Sequence, residues 1–130
     1  MSARILVVED SPNNTYLMTY LLQAHTHTVT AAVSGEQALD LARASCPDLV
    51  VMDLQLPGID GYQTLAAMRC EPGLCDVPVV AVTSFALVGD RDRILDAGFD
   101  HYLAKPIDPA TFTGEIDAYL PEQLRSCAPN

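Results

Sequence analysis

Basic residues and tryptophan are scarce in this sequence. It has 7 Lys and Arg against 17 Asp and Glu, no Trp, and a formal net charge of −10. Nucleic-acid affinity comes largely from clustered basic side chains, so this balance argues against a nucleic-acid partner. No apolar run reaches the ~18 residues of a membrane span, and we expect no signal peptide before the first strand-like run. We therefore expect a cytoplasmic protein that has protein partners and no membrane contact.

Cysteine and histidine patterns that would indicate a disulfide scaffold or a zinc site are also missing. The four cysteines contain no CxxC pair and have no histidine at metal-ligand spacing, so we expect reduced thiols. They are Cys46, Cys70, Cys75 and Cys127. The three histidines are scattered, and each is expected at the surface or at a helix end. They are His25, His27 and His101.

The 130 residues suit one domain, and 49% of them are hydrophobic. Short apolar runs alternate with helical patterns along the chain. The predicted strands are Ile5–Val8, Thr28–Val33, Leu49–Met52, Val79–Val82 and Asp100–Ala104. The run at Leu49–Met52 is unbroken and lies between Pro47-Asp48 and Pro57-Gly58, as expected for a strand covered on both faces.

Helix boundaries can be predicted from capping residues. The spacing of Ser34 and Gln37 is that of a capping box at the start of the second helix. Its predicted buried face consists of Ala38, Leu41, Ala42 and Ser45. Gly98 is expected to end the fourth helix, in which surface ion pairs are expected among residues 90–93. Asp108-Pro109 is predicted to cap the fifth helix.

Single helices between successive strands require a parallel sheet, because a parallel pair needs a long crossover. The carboxyl ends of the strands then share one edge, which gathers Glu9, Asp10, Asp53, Thr83 and Lys105. Two carboxylates ~5 Å apart repel by roughly 3 kcal/mol at an effective dielectric of ~20. Lys105 and an octahedral Mg²⁺ ion would offset this repulsion, and such a set of groups suits phosphoryl transfer.

Five segments, in this order, resemble bacterial response-regulator receiver domains. They are Val-Val-Glu-Asp (7–10), Pro-Asp-Leu-Val-Val-Met-Asp (47–53), Leu-Pro-Gly-Ile-Asp-Gly (56–61), Val-Ala-Val-Thr-Ser (80–84) and Tyr-Leu-Ala-Lys-Pro (102–106). The resemblance covers residues 4–120. It implies an α/β fold of three layers, a doubly wound, flavodoxin-like, five-stranded parallel sheet with strand order 2-1-3-4-5.

The resemblance also implies a metal site for Mg²⁺ or Mn²⁺. Asp10 resembles the carboxylate that binds the metal directly, and Glu9 resembles its partner, which commonly acts through water. Asp53 and the backbone carbonyl of Gln55 resemble the remaining protein ligands.

The reaction and the switch are implied in the same way. Asp53 resembles the phosphoacceptor, and Lys105 resembles the lysine that pairs with the phosphoryl group. Thr83 resembles the hydroxyl that turns toward that group, and Tyr102 the aromatic residue whose rotamer follows it. The Lys105-Pro106 bond is often cis in this family. Ser84, where the family frequently has Ala, is a modest departure.

The implied function is that of a response regulator in a two-component or phosphorelay pathway. Its donor would be a histidine kinase or histidine phosphotransferase, and it would signal by contact with a downstream protein. Such a protein is a regulatory phosphoacceptor rather than an enzyme with a separate substrate. We expect a receiver domain at residues 1–121 and a short polar tail at 122–130, with no output domain. A monomer is expected, with a phosphorylation-dependent dimer as the alternative.

Three other functional interpretations are open. The chain could be the receiver of a hybrid histidine kinase, or a docking module that is never phosphorylated. A haloacid-dehalogenase-like phosphatase also uses an Asp nucleophile, Mg²⁺ and a lysine. That family has a second acid two residues after the nucleophile, where this sequence has Gln55.

Overall fold

A parallel sheet of five strands forms the centre of the computed structural model, in the order β2-β1-β3-β4-β5. The structure describes residues 3–84 and 88–120, with side chains from residue 91 onward in the second range. The elements are β1 (Arg4–Val8), α1 (Pro12–Ala24), β2 (Thr28–Ala32), α2 (Gly35–Ala44), β3 (Leu49–Asp53), α3 (Gly61–Arg69), β4 (Val79–Thr83), α4 (Val88–Asp96), β5 (His101–Ala104) and α5 (Phe112–Asp117). The predicted fold class and strand order are confirmed.

Side chains that alternate along the strands build one hydrophobic core on each face of the sheet. In β3, Val50 and Met52 pack with residues of α2, α3 and α4, among them Leu65 of α3. Leu49 and Val51 point to the opposite face, where residues of α1 and α5 cover them. Every residue of β3 and β4 is buried, which explains the unbroken apolar runs Leu49–Met52 and Val79–Val82.

The second helix confirms part of the predicted cap and core face. The Ser34 hydroxyl accepts a hydrogen bond from the backbone N–H of Gln37, whose side chain accepts one from Val33 instead of closing a full capping box. Ala38 and Ala42 are buried as predicted, together with Leu39. The prediction for Ser45 was wrong, because the helix ends at Ala44 and Ser45 is extended and exposed.

The prediction for the start of the fifth helix was wrong by three residues. Thr111 is the N-cap residue, whereas Asp108 lies in the preceding turn and accepts a hydrogen bond from Ala110 N–H. Asp108 forms this turn because an Asp side chain readily accepts a hydrogen bond from the backbone N–H two residues later. Gly98, after the fourth helix, has φ +109, as expected for a glycine that ends a helix.

His27 is buried, with 3% of its surface exposed, so the predicted surface position was wrong, whereas its backbone N–H donates to the Leu22 carbonyl at the end of α1, as a helix-end residue does. The backbone N–H of Ala3 donates to its Nδ1 at 3.1 Å, and its Nε2 lies 3.0 Å from Oδ1 of Asp117 in α5. Because Nδ1 accepts a hydrogen bond, the ring proton is on Nε2 and faces Asp117. The imidazole therefore joins the start of the sheet to α5.

The described residues also bear on two predictions about the cysteines and about membrane-spanning helices. Cys46, Cys70 and Cys75 are free thiols, whereas Cys127 lies outside those residues. Within residues 3–84 and 88–120, none of the helices has the length and apolar character needed to cross a membrane.

Candidate functional site

Four strands deliver the predicted site residues to one edge of the sheet. Glu9 and Asp10 directly follow β1, and Asp53 is the last residue of β3. Thr83 ends β4, and Lys105 follows β5, whose Ala104 pairs with Thr83. These residues are distant in sequence and lie together because parallel strands all end on this side.

Three carboxyl groups form a compact cluster at this edge. Glu9, Asp10 and Asp53 each contribute an oxygen, and these oxygens all lie within 4.8 Å of one another. Glu9 and Asp53 are buried, at 1% and 3% exposure, whereas Asp10 is exposed at the rim. Burial of like charges at this separation is unfavourable without a compensating cation.

Lys105, the only lysine in the sequence, supplies one such cation. Its Nζ lies 3.2 Å from Oδ2 of Asp53 and 3.1 Å from Oε2 of Glu9. Burial alone would lower the pKa of Lys105, but the hydrogen bond to Glu9 and the charges of Asp53 and Glu9 outweigh it and raise that pKa above 10.5. Lys105 therefore stays charged throughout the neutral range.

The charge of Lys105 does not fully compensate the charge of the buried Glu9 carboxylate. Burial, followed by the charge of Asp53, raises the pKa of the Glu9 carboxyl, although Lys105 and the Ser11 N–H oppose the shift. Glu9 Oε2 accepts no hydrogen bond from the described residues, even though the Lys105 ammonium is near. A buried oxygen without a hydrogen bond beside two further carboxylates is a donor set that suits a hard divalent cation.

Asp53 is positioned by its own loop and by the start of α3. Its Oδ1 accepts a hydrogen bond from the Gln55 N–H at 3.0 Å, so only Oδ2 faces Lys105. Gly61 N–H donates to the Leu54 carbonyl at 3.1 Å. A Cβ on Gly61 would lie 2.8 Å from both the Asp53 carbonyl oxygen and Leu54 Cα, so this position requires glycine. In the sequence, Gly61 is only the last residue of the Leu-Pro-Gly-Ile-Asp-Gly motif, which does not predict this role.

Thr83 and Tyr102 lie on the same face of the sheet. Thr83 is buried, and Ala81, two residues earlier in β4, is paired with Tyr102 of β5. Tyr102 is half-buried and packs against the core on the α2, α3 and α4 side. The bond between Lys105 and Pro106 is cis. Phe85, which follows the exposed Ser84, lies outside the described residues.

A cavity of about 170 Å³ opens beside Thr83, and two of its lining residues, Tyr62 and Arg93, belong to no site predicted from the sequence. Its lining includes Gln55, Tyr62, Thr83 and Arg93. Arg93, for which the sequence predicted only surface ion pairs, stacks on the Tyr62 ring. No local pattern predicts this contact, because it joins two different helices.

Comparison with known proteins identifies the family. The model described as "Response regulator receiver domain" matches residues 5–117. The chain belongs to the response-regulator receiver domain family. It is 38% identical over 120 residues to the polar-differentiation response regulator DivK of Brucella ovis, covering 92% of this chain and 98% of DivK.

Solved receiver structures have the same fold. The receiver domain of sensor histidine kinase PA1611 from Pseudomonas aeruginosa, with magnesium coordinated in its active-site cleft, is 34% identical and has a TM-score of 0.83. The match covers 92% of this chain and 98% of that one. Chemotaxis protein CheY4 of Vibrio cholerae, 23% identical with a TM-score of 0.87 over 92% of this chain and 100% of its own, shows the fold alone. The family match, DivK and the PA1611 receiver together show that the chain is a receiver domain, consistent with phosphorelay signalling.

Proposed function

We propose that Asp53 accepts a phosphoryl group from a phosphohistidine donor and that the chain signals as a response regulator. The observation that carries this proposal is the contact of Asp53 Oδ2 with the Lys105 ammonium inside the three-carboxylate cluster. Oδ2 is the oxygen that the Gln55 N–H leaves available for attack. Membership of the receiver family supports the same role.

Asp10, Glu9 and Asp53 would hold a divalent cation, Mg²⁺ or Mn²⁺, with the Gln55 carbonyl as a further ligand. Carboxylate oxygens are the donors that Mg²⁺ prefers, and the exposed position of Asp10 leaves room for the waters that Mg²⁺ retains. The magnesium in the cleft of the PA1611 receiver supports this assignment. When bound, the cation would neutralise charge on the phosphoryl oxygens.

The protein's part in the transfer is to position and neutralise charge. The Asp53 oxygen attacks phosphorus, the bond from phosphorus to the donor nitrogen breaks, and the donor imidazole leaves. Lys105 would turn from the free carboxylate to the phosphoryl oxygens, whose developing charge it can pair with. The Thr83 hydroxyl, at the end of the adjacent strand, would donate to another phosphoryl oxygen.

The signal would leave by way of Tyr102. Movement of Thr83 toward the phosphoryl group would vacate space on the face that Tyr102 shares, so that the tyrosine can turn inward. The surface formed by α4, β5 and α5 would then present a different shape to a downstream protein.

Several features of this function stay predictions. They are the phosphoryl donor (a histidine kinase or phosphotransferase), the downstream target protein, the monomeric state, the cytoplasmic location and the domain span 1–121.

The other interpretations have less support. A docking module that is never phosphorylated would not need Lys105 between two buried carboxylates, an arrangement that costs stability without a charged ligand. The phosphatase interpretation requires a second acid at the position of Gln55. We therefore describe the chain as a regulatory phosphoacceptor, which acts catalytically only on its own phosphorylation and slow dephosphorylation.

Intact-mass measurement tests the proposal. After incubation with acetyl phosphate and Mg²⁺, the wild-type protein should gain the mass of one phosphoryl group, and hydroxylamine should remove it because the product is an acyl phosphate. Asp53→Asn keeps the side-chain shape and removes the attacking charge, so its labelling should vanish. Asp48→Asn, outside the site, is the control and should label normally. Labelling of Asp53→Asn would place the acceptor elsewhere.

A further inference from the structure

A cation–aromatic contact connects α3 to α4. Arg93 Cζ lies 4.7 Å from the centroid of the Tyr62 ring. Tyr62 in turn meets Phe99 edge to face, with centroids 5.7 Å apart and an angle of 80° between the planes. The position of Arg93 therefore affects how α4 and the segment leading to β5 sit against α3.

Arg93 and Tyr62 line the same cavity of about 170 Å³ as Thr83 and Gln55. Gln55 belongs to the loop that follows Asp53, and its N–H donates to Asp53 Oδ1. The cavity thus shares Gln55 and Thr83 with the proposed phosphoryl site, and Arg93 lines it from α4. Asp60 also lines it, but its Oδ1 caps α3 by accepting from the Gln63 N–H.

Arg93 differs from the other paired cations in its partner. Arg43, Arg69 and Lys105 each contact a carboxylate. Among the side chains that the structure describes, no carboxylate lies within ion-pair distance of Arg93, which is held by the Tyr62 ring. A contact of this kind at an exposed position is weak. A phosphoryl anion is a stronger partner, because a guanidinium can bind two of its oxygens at once.

We propose that Arg93 is a second sensor of the phosphoryl group, separate from Thr83 and Tyr102. It rests on Tyr62 while Asp53 is free and turns into the cavity when Asp53 carries a phosphoryl group. The release of Tyr62 then changes the packing of α4 against α3. This inference depends on the proposed phosphorylation of Asp53 and adds a second route by which that event reaches α4.

Side-chain NMR of the six arginines tests the movement directly. In the free protein, the Nε–Hε signal of Arg93 should carry a ring-current shift, which Tyr62→Leu should abolish. Addition of beryllofluoride with Mg²⁺, a phosphoryl mimic, should move the wild-type signal in the same direction. The Arg91 signal is the internal control, because a residue two positions away on α4 faces elsewhere.

Affinity provides the second measurement. Arg93→Gln should weaken beryllofluoride binding by about twofold to fivefold, the range expected for loss of one exposed ion pair, and the loss should grow at low salt. The matched variant Arg91→Gln removes the same charge from the same helix and should bind like the wild type. Equal weakening in both variants would mean a general charge effect and would overturn the inference.

The outcomes separate this inference from the proposed function. If the amide signals of residues 53–55 shift with beryllofluoride while Arg93 stays under the Tyr62 ring, the site is occupied and the sensor is refuted. If neither set of signals responds, the proposed phosphoryl site itself is refuted, and the sensor with it.

Discussion

The ammonium of Lys105 lies 3.2 Å from Oδ2 of Asp53 and holds the one carboxylate oxygen that the Gln55 N–H does not bind. Under the proposed function, this oxygen is the one that would attack the phosphoryl group. Asp10, at the rim, has no cation within ion-pair distance among the described residues. Lys105 alone therefore compensates the charge of this site incompletely.

Mg²⁺ should stabilise the folded protein, because the unfolded chain does not hold three carboxylates together. At a concentration ten times the Kd, the gain is about 1.4 kcal/mol. The melting temperature should therefore rise with Mg²⁺ concentration. Asp10→Asn should reduce the rise, whereas Asp40→Asn, on the exposed face of α2, should not. A melting temperature that ignores Mg²⁺ up to high millimolar concentration would exclude the metal site.

Glu9→Gln should raise the melting temperature of the metal-free protein at neutral pH. Burial and the charge of Asp53 raise the pKa of Glu9 in the folded state above 4.5, so its ionisation opposes folding. The stability that Glu9 contributes is fully present below the pKa of its carboxyl in the unfolded state. It is lost as the pH rises through the pKa of the same carboxyl in the folded state. The advantage of the Gln variant should therefore be small near pH 4 and grow as the pH rises.

Two comparisons make this pH prediction specific. Glu115→Gln, at an exposed position of α5, should follow the wild type across the same pH range. Saturating Mg²⁺ should reduce the advantage of Glu9→Gln, because the cation compensates the wild-type charge. An advantage that is constant with pH would show that Glu9 ionisation is not its cause.

Gly61→Ala should destabilise the protein by about 1–3 kcal/mol, the usual cost of overpacking. The added methyl group would collide with the Asp53 carbonyl and Leu54 Cα, both of which are backbone atoms that cannot move aside cheaply. Chemical denaturation would measure the loss, and labelling by acetyl phosphate should slow because Asp53 shifts. Gly114→Ala has open space around the new Cβ and is the control, with unchanged or slightly higher stability.

His27→Ala should lower the free energy of unfolding by about 1–3 kcal/mol, because the buried Ala3 N–H loses its acceptor. The cavity left by the imidazole should lower it further. Asp117→Asn keeps the hydrogen bond between Ala3 and His27, so it should lower the free energy of unfolding by less. Neither change should alter the rate of labelling at Asp53, because His27 lies before β2, at the amino end of the sheet. Urea denaturation and labelling kinetics measure the two properties separately. If either variant is labelled more slowly under conditions where it is fully folded, the prediction is wrong.

Thr83→Ala should leave phosphoryl binding largely intact and uncouple it from the α4–β5–α5 surface. Amide hydrogen exchange with and without beryllofluoride and Mg²⁺ would compare residues 53–55 with residues 91–104. In the wild type both regions should change, since the ligand shifts a population between two states. In the variant only the first region should change. If residues 91–104 of the wild type do not respond, Thr83 does not transmit the signal.

Much of the site could be predicted from local sequence alone. Alternation of apolar runs with helices forces the strands to be parallel, and parallel strands bring Glu9, Asp53, Thr83 and Lys105 to one edge whatever the side chains between them. The five motifs add the order of the strands through their resemblance to receivers. These predictions succeeded because each depends on the period of a short segment or on the residue at its end.

Contacts between distant segments were decided only by the tertiary structure. The burial of His27 depends on Ala3 and Asp117, the need for glycine at residue 61 depends on the backbone of the preceding loop, and the partner of Arg93 is a ring on another helix. No periodicity in the sequence encodes such pairs, because they are set by where packed elements approach each other. The sequence alone determined which groups meet at the carboxyl edge of the sheet, and packing decided how tightly each of them is held.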